Sequence, residues 1–562
     1  VIWLGMGFLC FMALCGLTLF LARTAEEQMK RSLHQSLYNH SAYVGYMQDK
    51  HDLNGIGFPQ LLTRYLGGFS AFGMSFSSMA LFSGVVMLLG PAIAAGGPVT
   101  VGFGWPVLAL FGLITACALA SFASATPTAG GSYHWALGAG GRRVGLWTGW
   151  LHLAGSLLML VSMNLLLADW IYALMVRYMS YAGGKELFYM LLIVIFLTQV
   201  LLNARGVHTL GLLFGGSVLL QLLLVAAIIA FLSYLVWPGI YPVQVLGGAH
   251  NAFSTPLESG NRSILLGMLL LQRLFIGNDF AAQTAEETKD PRINVPWSIF
   301  FSAVVTGVLG FVLFTFLLMH FQLGGSGGYN TYLEMTEWFV NMWSEWGGIV
   351  QPICLIAVIA SGWLNGTAIM GSASRNLFAL ARDESTPFSG WLANISIRFR
   401  APVNAVIVVT SLACVAALVT KSASLNLTPQ GTLIQLTALT ITLMHASNAL
   451  PIAARLKIER HTPQTGRRTK RQRGPWHMGN YGTVIDVTAF CWLAITTVIA
   501  LFELQLYVLL CISVVLSAGG VCIEMKHRAM VKKLPVKIVG STRFSRRSID
   551  DCIRIERKFP QH

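Results

Sequence analysis

The residues most able to do chemistry lie between Asn261 and Pro296, in NRSILLGMLLLQRLFIGNDFAAQTAEETKDPRINVP. An apolar run there carries Gln272, Arg273, Gly277, Asn278 and Asp279 before ending in Glu286 and Glu287. Charged and amide groups are costly in hydrocarbon, so they face a cavity, a partner or a pathway. Arg273 lies about 18 Å along the helix axis from the start of the segment, at 1.5 Å per residue, too deep for easy snorkelling. Two roles follow for it: an ion pair with Asp169 of the third span, or a salt bridge to the carboxylate of a bound solute. Gly277 beside Asn278 and Asp279 predicts that the helix is interrupted there.

A second stretch has the same character without the charge. FSAFGMSFSSMALFSGVVMLLGPAIAAGGP places Ser75, Ser77, Ser78, Ser83 and Gly84 at mid-depth of an apolar run. Small hydroxyl residues and glycine fit an unwound segment over Ser75–Gly84, whose freed backbone groups face a cavity. The competing reading is close helix packing through small residues. N–H groups at the start of a half-helix favour an anion, a carboxylate included.

The elements that must position these residues are membrane helices. The chain has 562 residues, 55% hydrophobic and 11% charged, against roughly 25% charged in a soluble domain. Apolar runs of about 20 residues recur, as a bilayer requires. Twelve spans are expected near 68–97, 104–125, 144–174, 187–204, 208–236, 263–285, 297–321, 348–381, 402–420, 431–454, 482–502 and 505–524. The two interrupted spans are the first and the sixth. Breaks in the first helix of each of two five-helix halves point to an inverted repeat with a site at the midplane. Residues 1–22 are a further apolar segment, an extra span or an upstream extension; 23–65 read as a polar cytoplasmic surface segment, 66–525 as the membrane-embedded body, and 526–562 as a basic cytoplasmic tail.

The net charge of +15 follows topology. Arg142, Arg143, Arg205, Lys289, Arg292, Arg375, Arg382, Arg398, Arg400 and the cluster from Arg455 to Arg473 fall in alternate loops, while 322–347 holds Glu334, Glu337 and Glu345 without Lys or Arg. The positive-inside rule then places both ends of the twelve-helix body in the cytoplasm. No basic module interleaved with aromatics is present, so nucleic acid is not an expected partner; the lipid bilayer is. The nine cysteines show no CxxC pair and read as small hydrophobes. There is no Walker loop, HExxH or GxSxG, so neither ATP-driven transport nor enzymatic chemistry is indicated, and no metal or cofactor is called for.

Several of these stretches together resemble the amino acid permeases of the APC superfamily, in the amino acid/choline, GABA-permease-like branch. They are FSAFGMSFSSMALFSGV with AAGGP and Trp105, ASATPTAGGSYHWA, GNDFAAQTAEETKDPRINVP, SRNLFALARDESTPFSGWLANISIRFRAPVNAV, and LPIAARL with GPWHMGNYGTVIDVTAFCW. The resemblance implies an all-α, LeuT-like fold of five-plus-five inverted repeats with two added helices. It implies secondary active transport of amino acids or related amines at a plasma membrane, by alternating access and driven by a proton or sodium gradient. The substrate would sit between Ser75, Ser77, Ser78, Ser83 and Gly84 of the first helix and Arg273, Gly277, Asn278 and Asp279 of the sixth. Choline or polyamine uptake is the alternative within the fold, and a nutrient sensor is the alternative outside transport. The chain departs from the branch at Ser121, Asn278 and Gln283, where a glutamate, a tyrosine and a histidine are usual. Glu286 and Glu287 oppose the helix dipole and call for partners among Arg142, Arg143 and Arg375, as a cytoplasmic gate would. His152, Asn164, Asn203, Gln221, Asn365, His445 and Asn448 are read as interhelical hydrogen-bonding groups.

Overall fold

Long runs of Leu, Val, Ile, Ala and Phe satisfy their backbone internally only as helices, and the computed structural model is built of them. It describes residues 2–33, 42–179, 184–247 apart from 236, 238 and 240, 264–320, 350–423, 429–461 and 474–506, with scattered positions from 508 to 525 and the turn 552–556. Among the described residues there is no strand, only one isolated bridge between Leu66 and Thr288. Eleven helices are long and apolar enough to cross a membrane, or twelve with one bent pair counted as a span. The expected span 505–524 falls largely outside the described residues, as do the acidic loop 322–347 and most of the tail.

Residues 1–22 belong to α1 (Ile2–Leu33), which runs past the expected boundary. Leu14, Leu21 and Ala25 bury one stripe of it while Phe8 and Leu9 stay exposed. Its Phe11 stacks on Phe311 at 4.6 Å. The segment 23–65 is less superficial than its polarity suggested. It holds α2 (Ala42–Ile56), and its Asn54, Gln60 and Arg64 are buried. Polar composition misleads here because these groups bond to backbone carbonyls and a carboxylate instead of water.

The first body span is α3 (Gly68–Met79) followed by α4 (Leu81–Gly96), with an overall bend of 63° between Gly68–Val85 and Met87–Gly96. The interruption is narrower than the expected Ser75–Gly84. It is the single residue Ala80, left-handed at φ 54° and ψ 47°, a conformation costing about 1–2 kcal/mol for a residue with a Cβ. Gly84 serves packing instead: a Cβ there would meet Leu274 of the sixth span at 2.3 Å.

Next come α5 (Trp105–Ala125), α6 (Ser132–Met179, broken at Gly141), α7 (Lys185–Ala204) and α8 (Val207–Leu235). The sixth span opens as α9 (Ile264–Gln272). It tightens through a 3-10 turn (Arg273–Phe275), is extended at Ile276, and resumes as a 3-10 helix over Asn278–Glu287. The remaining spans are α10 (Pro291–His320), α11 (Val350–Arg382), α12 (Val403–Ala423), α13 (Pro429–His461) and α14 (Gly482–Phe502). Trp105 knits α5 to α10: its Nε1 donates to the Gly307 carbonyl at 2.9 Å, and a Cβ at Gly310 would lie 2.3 Å from its ring. The two interrupted spans, five spans apart, lie against one another in the middle of this bundle, the arrangement of a LeuT-like repeat.

Candidate functional site

The interruption of the sixth span is set by one glycine for two reasons. Gly277 has φ 98°, and a Cβ on it would meet Ser78 Oγ at 2.8 Å. The close approach is used at once. Ser78 Oγ donates to the Gly277 carbonyl (2.7 Å) and Ser75 Oγ to the Asn278 carbonyl (2.6 Å), while the Ala281 N–H donates to Ser75 Oγ (3.0 Å). Carbonyls freed by the turn at Ala80 are also taken: Asn365 Nδ2 donates to Ser77 O at 2.7 Å and Ser78 O at 2.8 Å. Ser77 Oγ bonds Ser217 Oγ at 2.8 Å. Buried backbone groups without helical partners must be satisfied somewhere, and here the serines and Asn365 do it.

This revises the expected role of the hydroxyls. Ser75, Ser77 and Ser78 are occupied in joining helices, and only Ser83 keeps a buried hydroxyl without a hydrogen-bond partner. What the first span offers a ligand is the first turn of α4, which starts at Leu81 with no side-chain cap and so has N–H groups lacking intrahelical acceptors.

The sixth span offers charge. Arg273 and Asp279 flank the break, 5% and 0% exposed. No ion pair involves the Arg273 guanidinium among the described residues, and the expected partner Asp169 instead bonds Lys421 at 2.9 Å. Among the described residues neither Asp279 carboxylate oxygen accepts a well-formed hydrogen bond, though the Asn448 amide and the residue's own N–H lie close to it. His152 Nδ1 of α6 stands 3.9 Å from Asp279 Oδ2. Asn278 lines a neighbouring cavity with Gln272, Gly277, His445 and Asn448. That cavity measures about 20 Å³, room for about one water and far below the roughly 300 Å³ of a small-molecule pocket.

The acidic end of the sixth span is closed by two parallel forks. Arg375 donates to Glu287 through Nε (2.5 Å) and NH2 (2.9 Å); Arg382 donates to both oxygens of Glu286 at 2.9 Å. The Ala129 N–H adds a third bond to Glu286 (2.9 Å). Of the expected partners, Arg375 is correct and Arg143 is not: it is largely exposed and pairs with Glu524 at 3.3 Å. Arg382 was legible in principle, because Arg375 and Arg382 are seven residues apart, two turns along one face of a helix.

A layer below these pairs was not foreseen at all. The N–H groups of Tyr65 and Leu66 bond the Glu287 carbonyl at 2.8 and 2.9 Å. Gln60 Nε2 bonds the Glu286 carbonyl at 2.9 Å, and Arg64 NH1 bonds the Thr288 carbonyl at 2.7 Å. At Ser121 the usual glutamate is replaced by a hydroxyl that accepts from Arg455 NH1 at 2.8 Å, while Asp486 takes that arginine's Nε at 2.7 Å. The acid that pairs with Arg455 therefore stands on α14.

With this geometry in hand, the comparisons are informative. A family model described as amino acid permease matches residues 66–520. The amino-acid permease BAT1 of Arabidopsis thaliana is 27% identical over 476 residues, covering 80% of this chain and 87% of that protein. Its homolog in Oryza sativa subsp. japonica is 26% identical over 477 residues, with 80% and 86% covered. The thiamine transporter thi9 of Schizosaccharomyces pombe is 24% identical over 406 residues, with 64% and 67% covered. Two interrupted helices crossing mid-bundle, uncompensated charge at their breaks and a family match over most of the sequence agree: the chain belongs to the amino acid permease family, whose members transport solutes across membranes and are not enzymes.

Proposed function

We propose that the protein is a secondary active transporter of amino acids or closely related amines, working by alternating access and driven by an ion gradient across the plasma membrane. The observation that carries this is the pair Arg273 and Asp279, a basic and an acidic group buried on either side of the Gly277 break, Arg273 with no ion pair and Asp279 with no well-formed hydrogen bond to its carboxylate among the described residues. A buried charge left unpaired costs several kcal/mol, and a zwitterion supplies a counter-charge to each. In this reading the substrate carboxylate takes Arg273 and the N–H groups opening α4 at Leu81, and its ammonium takes Asp279. Ser83 is the free hydroxyl nearest that turn, while Ser75, Ser77, Ser78, Gly84, Gly277 and Asn278 hold the two breaks together.

The forks at Glu286 and Glu287 form the cytoplasmic gate in this reading, and the basic loops put both ends of the twelve-helix body on that side. Opening the gate requires Arg375 and Arg382 of α11 to leave the sixth span, together with the Gln60–Leu66 segment bonded beneath it. Choline or a polyamine is disfavoured by like-charge repulsion at Arg273. A nutrient-sensing role would leave the charges without a transported solute. Counterflow in proteoliposomes with labelled amino acids, GABA, choline, putrescine and thiamine, with and without sodium or a pH gradient, tests the reading. Exchange of a zwitterion supports it; exchange of cations alone, or of no solute, refutes it.

A further inference from the structure

We propose that His152 and Asp279 together form the proton site of the carrier, so that the coupling ion is a proton and it travels with the substrate. This rests on the transport reading above and adds a residue, His152, from a third element. With the Gln283 amide oriented to satisfy its surroundings, its nitrogen donates to the carbonyls of Asp279 (3.0 Å) and Phe280 (3.1 Å), and its oxygen accepts from His152 Nε2 at 3.0 Å. That orientation places a hydrogen on Nε2. The other nitrogen, Nδ1, then carries a lone pair. Ser447 Oγ, which also reaches the Met444 carbonyl at 2.9 Å, is 3.4 Å from it, and Asp279 Oδ2 is 3.9 Å away. Asp279 for its part accepts no well-formed hydrogen bond on either oxygen among the described residues, with only the Asn448 amide and its own N–H nearby. One proton shared between Nδ1 and Oδ2 joins the two groups.

The other ionisable groups on the packed elements are engaged elsewhere. Glu286 and Glu287 hold Arg382 and Arg375, and His134 meets Asp383 at 3.1 Å. His445 lies against Gln272 and Thr496, and Asp169 holds Lys421. The α3 half of the first span brings only serines, and Arg273 lies across the break on the other half of the sixth span. Before substrate binds, protonation of Asp279 relieves the cost of its buried charge. An arriving ammonium requires the carboxylate ionised: the Oδ2–H bond breaks, an Nδ1–H bond forms on His152, and the carboxylate turns to the substrate. A shift of about 1 Å brings the two atoms to transfer distance. Proton and substrate are then held at the same time on neighbouring groups, as symport requires.

The test uses the full-length protein in sodium-free proteoliposomes with a lumenal pH dye and the amino acid identified by counterflow. Wild type should acidify the lumen on substrate addition. His152→Gln should lower that proton flux by about tenfold or more and flatten the pH dependence of uptake. Gln283→Leu, which keeps the imidazole but frees Nε2, should move the pH midpoint of uptake. Substrate uptake by wild type without proton movement overturns the proposal alone, as does wild-type proton flux and pH profile in His152→Gln. If thermal melting shows His152→Gln misfolded, an unmoved midpoint in Gln283→Leu overturns it. A wild type that moves no solute in the panel overturns the transport reading, and this one with it.

Discussion

Replacing Arg375 with alanine would leave the Glu287 carboxylate, 0% exposed, without its two charge-assisted bonds. The cost is set by burial. An exposed pair is worth about 0–1 kcal/mol, but removing one partner of a fully buried pair costs about 3–5 kcal/mol because the remaining charge stays desolvated. That energy belongs only to the conformation in which α11 meets the sixth span. In an open conformation Glu287 reaches water and the loss vanishes. Arg375→Ala should therefore shift the closed-to-open equilibrium by roughly 10²- to 10³-fold, at about 1.4 kcal/mol per tenfold. A reporter cysteine at Ala282, 1% exposed behind the forks, would be labelled by a membrane-impermeant maleimide applied from the Glu287 side, with accessible native cysteines replaced. The labelling rate should rise by up to that factor, and the exchanged pair Glu287→Arg with Arg375→Glu should restore most of the protection. A labelling rate and melting temperature equal to wild type in Arg375→Ala would refute the reasoning, since a buried carboxylate would then have lost its partner at no cost.

Arg273→Gln should raise the KM for the transported zwitterion by about tenfold or more, the low end of what a buried charge partner contributes; unchanged uptake and affinity would remove Arg273 from the site. Gly277→Ala combines a left-handed backbone with a 2.8 Å clash on Ser78 Oγ; it should cost about 1–3 kcal/mol, seen as a lower melting temperature, whereas Ala80→Gly should be tolerated or mildly stabilising. Outside the membrane spans, burial foremost pushes the Asp49 carboxyl up to about 6 against the opposing pull of Arg64. The folded protein thus binds this proton more tightly than the unfolded chain. The contribution is full below the ordinary value of 3.8 and is lost as pH rises through about 6. Wild type should lose more thermal stability than Asp49→Asn between pH of about 4 and about 6, and parallel melting curves would contradict this.

How far the primary structure carried the reading differs from feature to feature. Hydrophobic run length gives the approximate place of the described spans, because a bilayer demands about 20 apolar residues of any crossing helix. Gly277 next to Asp279 was enough to place one interruption, since a glycine among buried polar groups has few other uses in a membrane helix. Ala80 could not be found that way. Nothing in its side chain favours a left-handed turn, and it is held there by Asn365 of α11, which bonds the carbonyls of Ser77 and Ser78, while Ser75 of α3 ties that helix to the sixth span. Composition correctly marked Ser75, Ser77 and Ser78 as polar at mid-depth. Whether their hydroxyls face a solute or another helix is a matter of distances between chain segments two hundred residues apart, and those distances assign them to helix joining. The acidic pair Glu286 and Glu287 announced a need for arginine; only packing chose Arg382 over Arg143 for Glu286. Local sequence thus determined which groups are buried and what they lack, because insertion into hydrocarbon is decided segment by segment. The tertiary structure decided which lacks are met within the protein, and among the described residues it leaves Arg273 buried without an ion pair and Asp279 buried beside His152 at 3.9 Å, because the elements packed around the Gly277 break bring no closer counter-charge.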